Sequence, residues 1–238
     1  MADAAGFTQL LRSRGVAVPP GVDVRPPRVA LYFGEALGDN LLCTAVLHEL
    51  RRRGQRDLWM MTGYSELFHA NADVDALVPA TEKWFELAVT QFGGRFIVPA
   101  YTRHDWQNDA GDPPPPAHVI AMMCYLAGVT GPVALRPYLN LEPAELSFGR
   151  FGPRQIAIQS TGLGAAMSMR NKEWLPERFQ AVVDALKNDF QFVQLGAAGD
   201  PPVDGAIDLR GQTTLRQSAA VLSHSLMFVG LVGFLMHL

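Results

Sequence analysis

Residues 28–50 read RVALYFGEALGDNLLCTAVLHEL, and the rest of the chain is organised around them. The apolar run Val29 to Phe33 is too short for a helix and is followed by Gly34 and Gly38. It reads as a buried strand running into a tight loop. Leu42, Val46 and Leu50 then recur at helical spacing, and Arg51, Arg52 and Arg53 crowd the last turn, where positive charge suits the carbonyl end of the helix dipole. Gly54 ends the helix. A strand, a glycine-bearing turn and a helix start place backbone N–H groups and one acidic side chain, Asp39, at the carboxyl edge of a parallel sheet. Open α/β sheets take their ligands at that edge.

Working outward, Asp57 to Thr62, Val74 to Val78 and Arg95 to Val98 read as further strands, with a short helix over Ser65 to Ala70. Tyr101 to Asp112 is polar and rich in turn formers and reads as a loop. Pro113 to Pro116 is a stiff polyproline segment, and a helix over Ala117 to Ala127 follows, ended by Gly128 and Gly131. Residues 1–27 form an N-terminal extension. Pro19, Pro20, Pro26 and Pro27 argue for an extended approach there, with a short amphipathic turn around Phe7 to Leu11. Residues 28–135 make a first α/β domain, and 136–153, mixing prolines and glycines, have the composition of a linker.

A second α/β pattern fills 154–238. Gln155 to Ser160 and Phe190 to Leu195 are strand-like. Pro176 to Lys187 is a helix with Phe179, Val182, Val183 and Leu186 on one face. Thr214 and Gln217 have capping-box spacing ahead of another helix, and Leu226 to Val229 is the next strand. The chain stops at Leu238 where a further helix is due, so this second domain is expected to be truncated. An open strand edge and uncovered Phe234, Leu235, Met236 and Leu238 then predict self-association.

The composition is that of a globular protein: 238 residues, 48% hydrophobic, net charge -3, sequence pI near 6.1. That balance lacks the basic field nucleic-acid binding needs, and makes small molecules the default partners. Cys43 and Cys124 have no paired spacing and read as buried thiols. The N-terminus lacks a secretory signal, which predicts a cytoplasmic location. The most apolar window, Leu226 to Leu238, falls short of the roughly 20 residues that span a bilayer. The six histidines show no H-E-x-x-H or paired spacing, so no metal is expected. Neither half carries G-x-G-x-x-G between strand and helix, which weighs against a nicotinamide-dependent oxidoreductase, and no cofactor is expected.

Several motifs, in order, resemble glycosyltransferase family 9, best known for the ADP-heptose:lipopolysaccharide heptosyltransferases. They are Gly34 to Leu42 with Thr44, Asn71 to Val78 (NADVDALV), Lys172 to Phe179 (KEWLPERF), Leu195-Gly196 with Asp200, and Asp208 to Leu222 (DLRGQTTLRQSAAVL). The resemblance runs from about residue 28 to the end. It implies the glycosyltransferase B type fold: two Rossmann-like domains, the first holding the acceptor and the second, here truncated, a nucleotide-sugar, with the ligands meeting in a cleft. The implied activity is inverting, metal-independent transfer of a heptose or related sugar, from a donor expected to be ADP-linked, to a lipopolysaccharide core or other glycan. A lipid-linked acceptor implies peripheral contact with a membrane.

The residues support roles within that picture. A sugar hydroxyl is a poor nucleophile and needs a base, and Asp39 is the carboxylate placed for it; the competing reading is an N-capping aspartate. A departing nucleoside diphosphate gains negative charge and, without a metal, needs cations and helix N-termini. Lys172, just ahead of a helix, is the candidate cation, against a plain solvated charge. Ser160 and Thr161, with Gly162, can present hydroxyls and N–H groups to phosphate, or form an ordinary turn. Asp200 can hold ribose hydroxyls, or be an Asp-Pro turn. Trp174 reads as core packing. After the last strand the family pattern is an aspartate, a small hydroxyl residue and a glycine ahead of histidine and leucine. Here Gly230 leads the run, Val232, Gly233 and Phe234 stand in those three places, and His237 keeps the histidine. Valine cannot make an aspartate's donor contact, while Gly233 leaves room for a phosphate oxygen. The alternative function is therefore a truncated or degenerate, non-catalytic binding domain.

Overall fold

A computed structural model of the chain describes residues 4–15, 24–34, 36–87, 94–101, 116–164 and 170–238. The expected loop after Tyr101, prolines 113–115, Pro19, Pro20 and Glu35 lie outside these residues. The chain divides into two units, Met1–Tyr138 and Leu139–Leu238. Each contains a four-stranded parallel sheet.

In the first unit, β1 (Val29–Tyr32) pairs with β2 (Leu58–Met61) on one side and β4 (Arg95–Ile97) on the other, and β3 (Ala76–Val78) lies beyond β2, giving the order β3-β2-β1-β4. Leu31 stands level with Met60 and with Ile97. Strands covered on both faces need apolar side chains at every position, and all four residues of β2 are buried. Helix α2 (Leu37–Arg52) makes the crossover from β1 to β2, and α4 (Val119–Leu126) packs on α2. Between β3 and β4 runs a short helix not expected from the sequence, α3 (Glu82–Glu86), which buries Trp84.

In the N-terminal extension the turn expected around Phe7 to Leu11 is part of a longer helix. Ala4–Ser13 form a helix, α1, that buries Phe7, Thr8 and Leu11. Phe7 and Leu11 lie one helical turn apart and join Trp59, Met61, Val78 and Trp84 in one core cluster. The Phe7 ring centroid is 5.6 Å from that of Trp59, and Trp84 meets Trp59 edge-on at 6.2 Å. Thr8 ties the helix to the approaching strand by accepting the Val24 N–H at 2.7 Å. The prolines follow the helix in sequence, so they do not oppose it.

Buried polar groups anchor the end of this unit. Glu49, 1% exposed, accepts hydrogen bonds from Arg52, from Arg53 and from the Ala134 N–H at 3.0 Å. Arg53 also holds the Thr130 and Pro132 carbonyls, each at 3.1 Å. Burial opposes ionisation of Glu49, but the Ala134 N–H and the two guanidinium groups together outweigh it and bring the carboxyl from 4.5 down to about 2. A depressed folded-state pKa adds stability that is complete above the unfolded value and lost as pH falls toward the folded one. Stability is therefore expected to fall between pH 4.5 and about 2. Glu49→Gln should flatten that slope in thermal melts; an unchanged slope assigns the acid sensitivity elsewhere.

The Asn71–Val78 stretch is built into the amino edge of the first sheet. Asp75 accepts the Leu58 N–H at 2.8 Å and pairs with Arg51 at 2.6 Å, while Asp73 meets His48 at 2.9 Å. The Tyr138 hydroxyl contacts Asn71 Oδ1 at 2.9 Å and the Asp73 carboxylate. Burial, and then Asp73, push the Tyr138 hydroxyl pKa up.

The second unit repeats the topology. Strand β5 (Gln155–Ile158) lies between β6 (Gln191–Gln194) and β8 (Met227–Val229), with β7 (Ala206–Asp208) beyond β6. The three-residue β7, with a charged end, carries too little pattern to be read from sequence. Helix α5 (Pro176–Leu186) starts on its proline. Helix α6 (Leu215–Ser223) carries both bonds of the Thr214–Gln217 capping box, and the four-residue α7 (Phe234–His237) follows β8. Much of the expected linker belongs to this unit. Arg216 pins Glu145 and the Asn140 carbonyl, and the buried Gln155 side chain donates to Gly149 O and accepts from Phe151 N. Cys43 and Cys124 are free and buried, as the sequence implies. No described helix is long and apolar enough to cross a membrane.

Candidate active site

In each sheet the chain reverses direction of strand addition between the first and fourth strands, β1 and β4 or β5 and β8. The crevice outside their carboxyl ends is where such sheets bind ligands. In the first unit, Gly34 follows β1 with φ of +64°, a left-handed turn that favours glycine. Asn40, fully buried, fixes this turn. Its Nδ2 donates to the Gly34 and Ala36 carbonyls at 3.1 and 3.0 Å, and its Oδ1 accepts the Thr62 hydroxyl at 2.9 Å. One side chain thus joins the loop after β1, the start of α2 and the end of β2.

Asp39 occupies the first turn of α2, and the N-cap position itself is taken by Ala36, which offers no side-chain acceptor. The Tyr101 hydroxyl donates to Asp39 Oδ1 at 3.0 Å, and the Tyr101 ring stacks on Phe33 at 5.9 Å and 17°. The loops after β1 and β4 therefore meet across the switch point, with a half-buried carboxylate between them. A carboxylate at a helix start beside the sheet's carboxyl edge is a group that can accept a ligand hydroxyl.

In the second unit, Thr161 and Gly162 follow β5, and an atom built as Cβ on Gly162 would lie 3.8 Å from Leu231 in the loop after β8. Their polar groups converge on one carboxylate: Glu173 Oε2 accepts the Thr161 hydroxyl at 2.7 Å and Oε1 accepts the Gly162 N–H at 2.8 Å. Lys172 is exposed in the one-turn 3-10 helix Arg170–Lys172, immediately before Glu173. Gly230 lies against the tip of the Phe228 ring, which would have to shift to admit a side chain there. Gly233 is the N-cap of α7, open around its Cα, His237 closes that helix, and Val232 is 55% exposed beside it.

Two expected ligand residues point elsewhere. Ser160, fully buried, donates its hydroxyl to Pro201 O at 2.6 Å and accepts from Gln194 at 3.0 Å, so its hydrogen is committed inside the fold. Asp200, 5% exposed, accepts the Ala197 N–H at 2.9 Å, and Gly164 approaches its other oxygen. Burial is the main cause of its raised pKa. Both residues brace the loop after β6, as the Asp-Pro turn reading allows. Trp174 packs edge-on against Phe179 at 4.9 Å with 36% of its surface exposed, less enclosed than a core residue.

The structure closely parallels solved glycosyltransferases. E. coli ADP-heptose lipopolysaccharide heptosyltransferase II matches with a TM-score of 0.58 at 12% identity, over 88% of this chain and 80% of that one. The glycosyltransferase family 9 structure from Veillonella parvula matches with 0.60 at 15% identity, over 87% and 77%. TibC, a dodecameric iron-containing glycosyltransferase from enterotoxigenic E. coli, matches with 0.64 at 16% identity, over 92% of this chain and 58% of that one. The fold is that of the heptosyltransferases, the glycosyltransferase B type. At these identities the likeness is one of architecture, and the chain spans little more than half of TibC. No family profile and no curated protein matches the sequence. Among the described residues, no three His, Cys, Asp or Glu side chains converge to hold a metal ion.

Sequence reasoning did not assign roles to Asn40, Tyr101 or Glu173. Asn40 and Glu173 stand inside the quoted motifs, but nothing local marks a buried amide or a carboxylate folded back on a loop. Tyr101 had one available signal, its place just past a strand that a parallel sheet brings beside β1.

Proposed function

We propose that this chain is a glycosyltransferase that moves a heptose or related sugar from a nucleotide donor, ADP-linked by analogy with its structural neighbours, to a lipopolysaccharide core or other glycan. Transfer is inverting and needs no metal. The observation that carries this reading is Asp39: a carboxylate at the switch point, in the first turn of α2 behind a loop fixed by Asn40, with one oxygen held by Tyr101. A general base needs a carboxylate held in a fixed position at the ligand crevice. E. coli heptosyltransferase II is named for ADP-heptose, and TibC has been solved with ADP-D-β-D-heptose, which supports that donor. A cytoplasmic location, with peripheral membrane contact through a lipid-linked acceptor, belongs to the same reading.

Donor binding belongs to the second unit, with Thr161, Lys172, Gly230, Gly233 and His237 around the loops after β5 and β8. Lys172→Ala is expected to weaken nucleoside diphosphate binding by roughly 1–3 kcal/mol, the loss of one charge-assisted contact. Calorimetric titration with ADP checks this, and unchanged affinity makes Lys172 an ordinary surface cation. Self-association belongs to the same reading: among the described residues β8 pairs only with β5, and Leu226 and Met227 beside it are 66% and 59% exposed. Incubation of the full chain with ADP-heptose and a lipopolysaccharide acceptor, with release of ADP as readout, tests the activity. One observation favours a second reading. Val232 is exposed where the resembling family carries an aspartate, and a chain that binds the donor without turnover would be a non-catalytic binding domain.

A further inference from the structure

The polar groups after β5 are arranged for an anion and already hold one. The Thr161 hydroxyl and the Gly162 N–H both donate to Glu173, at 2.7 and 2.8 Å, one to each carboxylate oxygen. Thr161 is 4% exposed, and its oxygen also accepts the Leu163 N–H at 3.1 Å, which turns its single hydrogen toward the carboxylate. This arrangement sits at the carboxyl end of the strand beside the switch point, within reach of Leu231 in the facing loop. A hydroxyl and a backbone N–H aimed at adjacent oxygens of one anion serve a phosphate as well as a carboxylate.

We propose that the Thr161–Gly162 turn is the diphosphate seat of the second unit and that Glu173 is its resident plug, so that a diphosphate binds by displacing the chain's own carboxylate. The proposal rests on the nucleotide-donor reading above and adds to it the residue that sets the affinity of the seat. Two anions cannot share these donors, because like charges at contact distance repel and the hydroxyl has one hydrogen to give. Glu173 follows Lys172 directly in the same turn, so a movement that withdraws the carboxylate also moves the cation. Empty, the seat has both donors satisfied by Glu173. Loaded, it gives up Glu173 to solvent, where a carboxylate is well hydrated.

A simpler role for Glu173, bracing the loop, makes the opposite prediction. If the carboxylate only braces, its removal loosens Thr161 and weakens anion binding. If it plugs, removal frees both donors and strengthens binding. Calorimetric titration of the full chain, wild type, Glu173→Gln and Glu173→Ala, with pyrophosphate and separately with ADP, reads the sign. Both variants are expected to bind pyrophosphate about tenfold tighter, the order of effect of removing a like charge beside an anion near the surface. Equal, weaker or undetectable pyrophosphate binding in the variants overturns the proposal. Glu173→Gln keeps the size and one acceptor, so it decides alone if the alanine variant does not fold. Tighter pyrophosphate binding without any ADP binding upholds the plug and removes the nucleotide-donor reading. ADP binding in all three proteins with pyrophosphate binding that is not tightened keeps the donor reading and removes the plug.

Discussion

Replacing Asp39 by asparagine is expected to lower glycosyl transfer by roughly 10²- to 10⁴-fold, the usual contribution of a positioned general base, while leaving the fold intact. Asparagine has nearly the same shape and its carbonyl oxygen can still accept the Tyr101 hydroxyl, so the stacked Phe33–Tyr101 pair and the loop held by Asn40 should persist. What disappears is the negative charge that takes a proton from the attacking hydroxyl. The measurement is the rate of ADP release from ADP-heptose with acceptor present, beside a melting curve for each protein. Equal turnover would reduce Asp39 to a helix-start carboxylate favoured by the dipole. A large loss of melting temperature would make it a structural link between the loops.

Trp59→Ala is expected to cost about 3–5 kcal/mol of stability, the range for truncating a large buried aromatic. Trp59 is fully buried on β2, and its ring touches Phe7 from α1 and Trp84 from α3. Both helices bury side chains in the core cluster that Trp59 shares, so the cavity would loosen both. Urea unfolding followed by circular dichroism measures the loss. A cost below about 1 kcal/mol would mean that the cluster repacks and that α1 is held by Thr8 and Leu11 instead.

That core also marks where reading the sequence reaches its limit. The prolines between α1 and β1 say nothing about the helix ahead of them. An isolated ten-residue helix is marginal in water. It persists here because Phe7 and Leu11 have Trp59 to cover, a partner about fifty residues away along the chain.

The sequence by itself determined whatever depends on neighbours along the chain. Val29 to Tyr32 is a strand because it is short, apolar and stopped by a glycine, and α2 follows with Asp39 in its first turn. Thr214 and Gln217 start α6, and Pro176 starts α5, through bonds and backbone angles within four residues. Two successive α/β units followed from those local signals, and the order of the motifs pointed to the glycosyltransferase B type fold that the structure has. Only the tertiary structure decided which polar groups meet. Tyr101 reaches Asp39 from 62 residues away, Gln194 claims Ser160 from 34, and Glu173 folds back on Thr161. A hydroxyl or carboxylate bonds to whatever the packed strands bring within about 3 Å, and that distance is set by sheet order, to which spacing along the chain is blind.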